Sequence, residues 1–174
     1  MIITDRSGKR HQIYSMLLKD ARKTQLAMPL VSNILGFDTN EKIYNTEDEL
    51  SALQGMLEAC TDSLDSFDLE MAKAAIRNYM GADINMKELT IGTQIIDRDG
   101  KEFMAYSYKL SDYNKAMELL EQIDFTNFDI NSYDILIEII YLALNEQVDK
   151  ELINASMDAE FARKALAVYY DFPS

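Results

Sequence analysis

DRSGKRHQIYS occupies residues 5–15, and DRDGKEFMAYS occupies residues 97–107. Aligned at an offset of 92, residues 5–20 and 97–112 share eight of sixteen positions. The identities are Asp5/Asp97, Arg6/Arg98, Gly8/Gly100, Lys9/Lys101, Tyr14/Tyr106, Ser15/Ser107, Leu18/Leu110 and Asp20/Asp112. The phrase has a direct backbone meaning. Glycine takes positive φ at little cost, and Asp and Ser favour turns. The flanks IIT and TQII before it, and HQIYS and FMAYS after it, are rich in strand formers. Each copy therefore reads as a β-hairpin. Alternation places Gln12, Tyr14 and Met16 on one face, and Met104, Tyr106 and Tyr108 on the matching face. The two matched tyrosines, Tyr14 and Tyr106, are expected to anchor their hairpins in buried, equivalent positions.

A second pair of stretches repeats in the same order. SFDLEMAKAAIRNY (66–79) and SMDAEFARKALAVY (156–169) are identical at six of fourteen positions, at an offset of 90. Between the matches lie two apolar helical stretches, ELSALQGMLEAC (49–60) and DILIEIIYLALN (134–145). The organisation reads as a tandem duplication, residues 1–86 and 87–174, each copy large enough for a small core. Convergent use of good turn and capping residues is the competing explanation. The fold class expected is α+β, predominantly α, with each repeat a hairpin followed by about three helices. The two hairpins either pair into one sheet, making one pseudo-two-fold domain, or stay apart, and the sequence leaves both open.

Local signals place the helices. Ser111 is positioned to cap SDYNKAMELLEQI, with Ala116, Leu119 and Leu120 among its apolar positions. In the counterpart, KDARKTQLAMPLVSNILGF, Pro29 is expected to kink or end the helix. Thr46 and Glu49 have capping-box spacing. Ser66 and Ser156 are the expected caps of the repeated helix. There Met71, Ala75 and Tyr79, like Phe161, Ala165 and Tyr169, recur every fourth residue.

The 174 residues carry a net charge of −13. Residues 1–30 hold six Lys/Arg against two Asp/Glu, leaving −17 for the rest. Such an acidic body repels phosphate backbones, so nucleic acid is not an expected partner. The N-terminus lacks an apolar signal core, and no apolar run reaches a membrane span of roughly 18 residues, so a cytoplasmic location is expected. A single cysteine, Cys60, rules out a disulfide within the chain.

Few residues suit catalysis. His11 is the only histidine and falls on a hairpin strand, in register with Phe103, which favours a structural position. Cys60 has no histidine to activate it and reads as a small buried hydrophobe. Asp97-x-Asp99-Gly100 opens like a calcium loop, yet a lysine and a tyrosine stand at its fifth and twelfth positions, which is hairpin chemistry. The six glycines are isolated, so there is no phosphate loop. The reading is a non-enzyme without catalytic, cofactor or metal site, which works by binding protein. The candidate partner-binding residues are Tyr170 and Phe172, aromatics without matched counterparts, and Arg22 and Lys23 in the basic segment. The apolar stretch 134–144 reads first as core, and second as a face for another chain, including a homo-oligomer.

IIDRDGKEFMAYSYKLSDYNKAMELLEQI followed by DILIEIIYLALNEQVDKELINASMDAEFARKALAVYYDF resembles the small tail assembly chaperones of long-tailed bacteriophages. The likeness spans 93–172: a DGK hairpin, a helix, an apolar helix, then a closing helix. The first half departs from it through Pro29 and a less apolar middle helix. The resemblance implies a factor in the bacterial host cytoplasm that binds the tape-measure protein, keeps it soluble and recruits tail-tube subunits. The alternative is an acidic phage inhibitor of a host defence nuclease, which requires carboxylates arrayed at phosphate-like spacing. Here they are interleaved with Lys and Arg.

Overall fold

A computed structural model of the chain describes residues 1–36, 46–64, 66–82 and 85–172. The fold is α+β and predominantly α. Its residues cluster into two compact units. One comprises 1–67 and 71–90, the other 68–70 and 91–174.

The first unit opens with strands β1 (Ile2–Thr4) and β2 (Arg10–Gln12), paired antiparallel with Ile3 opposite His11. Asp5 makes the turn. Its amide donates to the Lys9 carbonyl at 2.9 Å, and its carboxylate accepts from the Ser7 and Lys9 amides, each at 2.9 Å. Gly8 supplies the positive φ of +85° that the turn needs. A 3-10 turn (Leu18–Asp20) leads into helix α1 (Ala21–Leu35), followed by α2 (Thr46–Cys60) and α3 (Leu69–Tyr79). Helices α1 and α2 pack together, burying Val31 and Leu35 from one and Leu53 and Leu57 from the other. On α3 the four-residue spacing is realised: Met71, Ala75 and Tyr79 are all buried. Strand β3 (Glu88–Thr90) then lies parallel to β1, giving a three-stranded sheet in the order β2-β1-β3.

The second unit also opens with a hairpin. Strands β4 (Thr93–Ile96) and β5 (Glu102–Ala105) form a separate two-stranded sheet, Ile95 opposite Phe103. Asp97 makes the same turn as Asp5, accepting from the Asp99 and Lys101 amides. A 3-10 turn (Leu110–Asp112) precedes α4 (Tyr113–Glu121), α5 (Ile130–Ala143), α6 (Lys150–Ser156) and α7 (Ala159–Tyr169). Helix α5 packs against α7, and Phe161 on α7 meets Phe103 edge to face at 5.5 Å.

The correspondence extends past the turns. Tyr14 N–H donates to the Cys60 carbonyl at 2.7 Å, and Tyr106 N–H to the Ala143 carbonyl at 2.8 Å. Met16 N–H reaches the Tyr79 carbonyl at 2.9 Å, and Tyr108 N–H the Tyr169 carbonyl at 3.0 Å. Both 3-10 turns and both closing helices, α3 and α7, keep their sequence offsets at either end.

Several local expectations are corrected. Tyr14 is 43 % exposed and hydrogen-bonds Asp62 at 2.8 Å, and Tyr106 is half-buried. The strand's buried face is the opposite one, carrying His11 and Ile13. Alternation fixes which residues share a face, whereas the packing of the helices decides which face they cover. Pro29 does not end the helix; α1 runs on to Leu35 and stops at Gly36, which adopts a left-handed φ of +70°. Pro29 and Gln25, whose carbonyl loses its donor, are both on the exposed side. Ser111 lies inside the 3-10 turn instead of capping α4. Asp158, not Ser156, caps α7 by accepting from the Phe161 amide at 2.9 Å, while Ser156 donates to the Leu152 carbonyl. Ser66 has a φ of +68° two residues before Asp68 and does not begin the helix. Glu49 is buried and accepts from the Asn33 side chain, while the Thr46 side chain, the other half of the expected capping box, lies outside the described residues. The second unit contains four helices, because 150–156 form a helix of their own.

Candidate functional site

A cavity of about 410 Å³ among the described residues is lined wholly by the second unit. The loop between α4 and α5 builds one wall. The Asp124 carboxylate accepts from the Thr126 amide and hydroxyl and from the Asn127 amide, at 2.7–3.0 Å. These bonds hold its pKa below the ordinary aspartate value. Asp124 N–H donates to the buried Ser132 hydroxyl, and Asp129 caps α5 by accepting from the Ser132 amide. The loop is thereby tied to the first turn of α5, and it presents Phe125 outward, 63 % exposed, with Phe128 beside it. Phe128 meets Tyr133 edge to face at 4.6 Å.

Helix α5 supplies Leu136 and Ile137 to the floor, and Ile140 below them is buried. The opposite wall comes from the α6–α7 corner, where Met157 is extended between the helices, and from Ala162 and Leu166 of α7. Arg163 and Asp158 mark the rim. An apolar helix face rimmed by polar residues, with exposed aromatics at its mouth, is the kind of surface that marks a protein interaction site. The stretch 134–144 is thus divided. Ile135, Ile139 and Ile140 are core, whereas Leu136 and Ile137 are half-exposed in the groove.

The residues singled out from sequence fall elsewhere. Tyr170 is buried in the second unit, its hydroxyl donating to the Ala116 carbonyl at 2.5 Å, and burial pushes its phenol pKa upward. Phe172 stacks on Tyr170 at 5.5 Å and is 45 % exposed. Arg22 and Lys23 are exposed in the first turn and a half of α1 in the first unit. Lys23 borders a smaller cavity of about 260 Å³ between α1 and α2, beside Thr24, Gly55 and Tyr79. None of the four lines the larger groove. What the sequence reading missed was DFTNFD (124–129), two phenylalanines set in an otherwise polar loop.

His11 is buried with Nε2 2.9 Å from Asp5 Oδ2, and it meets Phe67 edge to face. Burial alone would raise the Asp5 pKa; the His11 bond, then those from Ser7 and Lys9, more than offset it and hold it at about 2. The pair is structural, packed inside the hairpin without access to a substrate. Cys60 is fully buried, and burial pushes its thiol up to about 12, so it stays protonated and unreactive. Among the described residues no group of three or more His, Cys, Asp or Glu is arranged to hold a metal ion, and no helix is long and apolar enough to cross a membrane. Comparison with protein-family models, with curated proteins and with solved structures finds no match to this chain.

Proposed function

We propose that the protein is a non-catalytic tail assembly chaperone of a long-tailed bacteriophage. In this reading it acts in the host cytoplasm, holds apolar segments of the tape-measure protein in the second unit's groove and recruits tail-tube subunits. The observation that carries the binding reading is the groove itself: exposed Phe125 and Tyr133 beside Leu136 and Ile137, in a lining that is apolar apart from Asn154, Asp158 and Arg163. A long, apolar client needs such a surface on a carrier that stays soluble. The acidic body supplies that solubility, because like charges keep loaded carriers apart.

The chain is also read as a tandem duplication of one hairpin-plus-helices unit. The support is the paired set of backbone bonds, Tyr14–Cys60 with Tyr106–Ala143 and Met16–Tyr79 with Tyr108–Tyr169. A shared Asp-Gly turn is also what convergent turn chemistry would give, so the support rests on the strand exits being tied to matching helix ends.

The test is capture from infected cells with the tagged full chain. Recovery of a long, helical tape-measure protein, reduced at least about tenfold by the double change Phe125→Ala and Phe128→Ala, supports the reading. Recovery of a host nuclease alone sinks it in favour of the acidic-inhibitor alternative.

A further inference from the structure

We propose that the groove of the second unit also takes residues 17–26 of a second copy of this chain, so that the free protein associates head to tail. The inference rests on reading that groove as a docking surface, and it adds a specific occupant.

The occupant is argued from its shape and charge. Leu18 is 89 % exposed and Leu26 is 74 % exposed, the largest exposures of any leucines among the described residues. Leu18 opens the 3-10 turn and Leu26 lies one turn inside α1, where Arg22 is four residues before it on the same side of the helix. Leu17 adds a third exposed leucine at the N-terminal end. Lys19, Arg22 and Lys23 make this stripe basic, with only Asp20 against them. Exposed leucines interleaved with cations are the ligand pattern of a helix-in-groove contact.

The unit that bears the groove has the complementary sign. Of the net charge of −13, the residues of the second unit carry −11 (7 Lys/Arg against 18 Asp/Glu) and those of the first −2 (10 against 12). The lining itself holds one acid, Asp158, and one cation, Arg163, and Asp124 and Asp134 adjoin the mouth residues Phe125 and Tyr133 in the chain. A basic leucine stripe on one molecule meets an aromatic groove in the acidic unit of another, and the two patches sit on different units of the chain. Such a contact is heterologous, and each single contact leaves one stripe and one groove still to be filled. Association then continues with concentration, and salt weakens it by screening the charged rim. A client with a stronger apolar segment displaces the stripe, so self-association keeps the groove covered until a client arrives.

The test is sedimentation velocity of the full chain, the single variants Leu26→Asp and Phe125→Asp, and their equimolar mixture. Both positions are exposed, so the variants keep the wild-type circular dichroism. Wild type is expected to grow in average mass with concentration and to shrink as salt rises from about 0.05 to 0.5 M. Each variant alone is expected to remain monomeric. The mixture forms a 1:1 dimer and nothing larger, because only one good stripe and one good groove can meet. Wild type that stays monomeric at low salt overturns the inference. So does association that Leu26→Asp leaves unchanged, or a mixture that stays monomeric while wild type associates. Capture of tape-measure protein by a strictly monomeric wild type would remove the self-association while leaving the chaperone reading intact. Self-association without client capture would do the reverse.

Discussion

Two aspartates at equivalent sequence positions perform the same turn under different conditions. Asp97 is only partly covered, whereas Asp5 is 3 % exposed and also takes the His11 ring. Replacing Asp5 strands a buried histidine and two turn amides; replacing Asp97 strands amides that water can reach. We expect Asp5→Ala to cost about 2–4 kcal/mol and Asp97→Ala about 1 kcal/mol or less, read from urea unfolding midpoints. The pH dependence follows from the same carboxylate. Its folded pKa, about 2, lies below the ordinary value of 3.8, so the unfolded chain binds the proton more readily. The stabilisation is complete above pH 4 and is lost as pH falls from about 4 towards 2. Acid unfolding of Asp5→Asn should be less steep across that window than that of the wild type. This buried pair was not legible in the sequence. The single histidine was visible, but a strand's alternation does not say which of its faces the helices will cover.

At the scale of the element, the entry to β4 shows how closely the hairpin is packed. Gly92 has a φ of +107°, and a Cβ there would stand 2.8 Å from a Tyr106 ring carbon and 3.0 Å from the Met104 sulfur. Gly92→Ala therefore meets both backbone strain and a side-chain clash, and should lower stability by about 1–3 kcal/mol in thermal unfolding. Gly100→Ala, with positive φ but open space, should cost less. The hairpins and the closing helices were readable because Asp-Gly turn chemistry and four-residue apolar spacing are local. The path of α1 through Pro29 was not, since a proline ends a helix only where the freed carbonyl and the ring have nowhere to go. Nor was α6 readable as a separate helix: its N-cap is Asp149, but its end is set by the extended Met157 and the next cap, Asp158. The groove was half legible. The apolar helix was evident in the sequence, but the phenylalanine loop that turns one of its sides into a docking surface depends on the Asp124 turn.

For the whole molecule, the charge is unequally shared, and the asymmetry has a measurable consequence. With a sequence pI near 4.4, the protein loses its self-repulsion at a pH where Asp5 is still ionised and the first hairpin still intact. Light scattering should peak near pH 4–5 with native circular dichroism, and unfolding should appear only at lower pH. A coincidence of the two transitions would mean that acid precipitation follows unfolding, contrary to this expectation.

The backbone bonds at the hairpin exits also bear on the order of events during synthesis. In each unit, the strand leaving the hairpin is tied to the last residue of the closing helix, Met16 to Tyr79 and Tyr108 to Tyr169. Neither unit can complete this seam until its final helix has left the ribosome, however early the hairpin turn has formed. The first unit's seam becomes available once Tyr79 has emerged, while the second unit is still being made. A nascent chain arrested before α3 has emerged should then be digested rapidly by protease. One arrested after β3 has emerged should show a protected first unit, the seam having closed before the groove-bearing half exists.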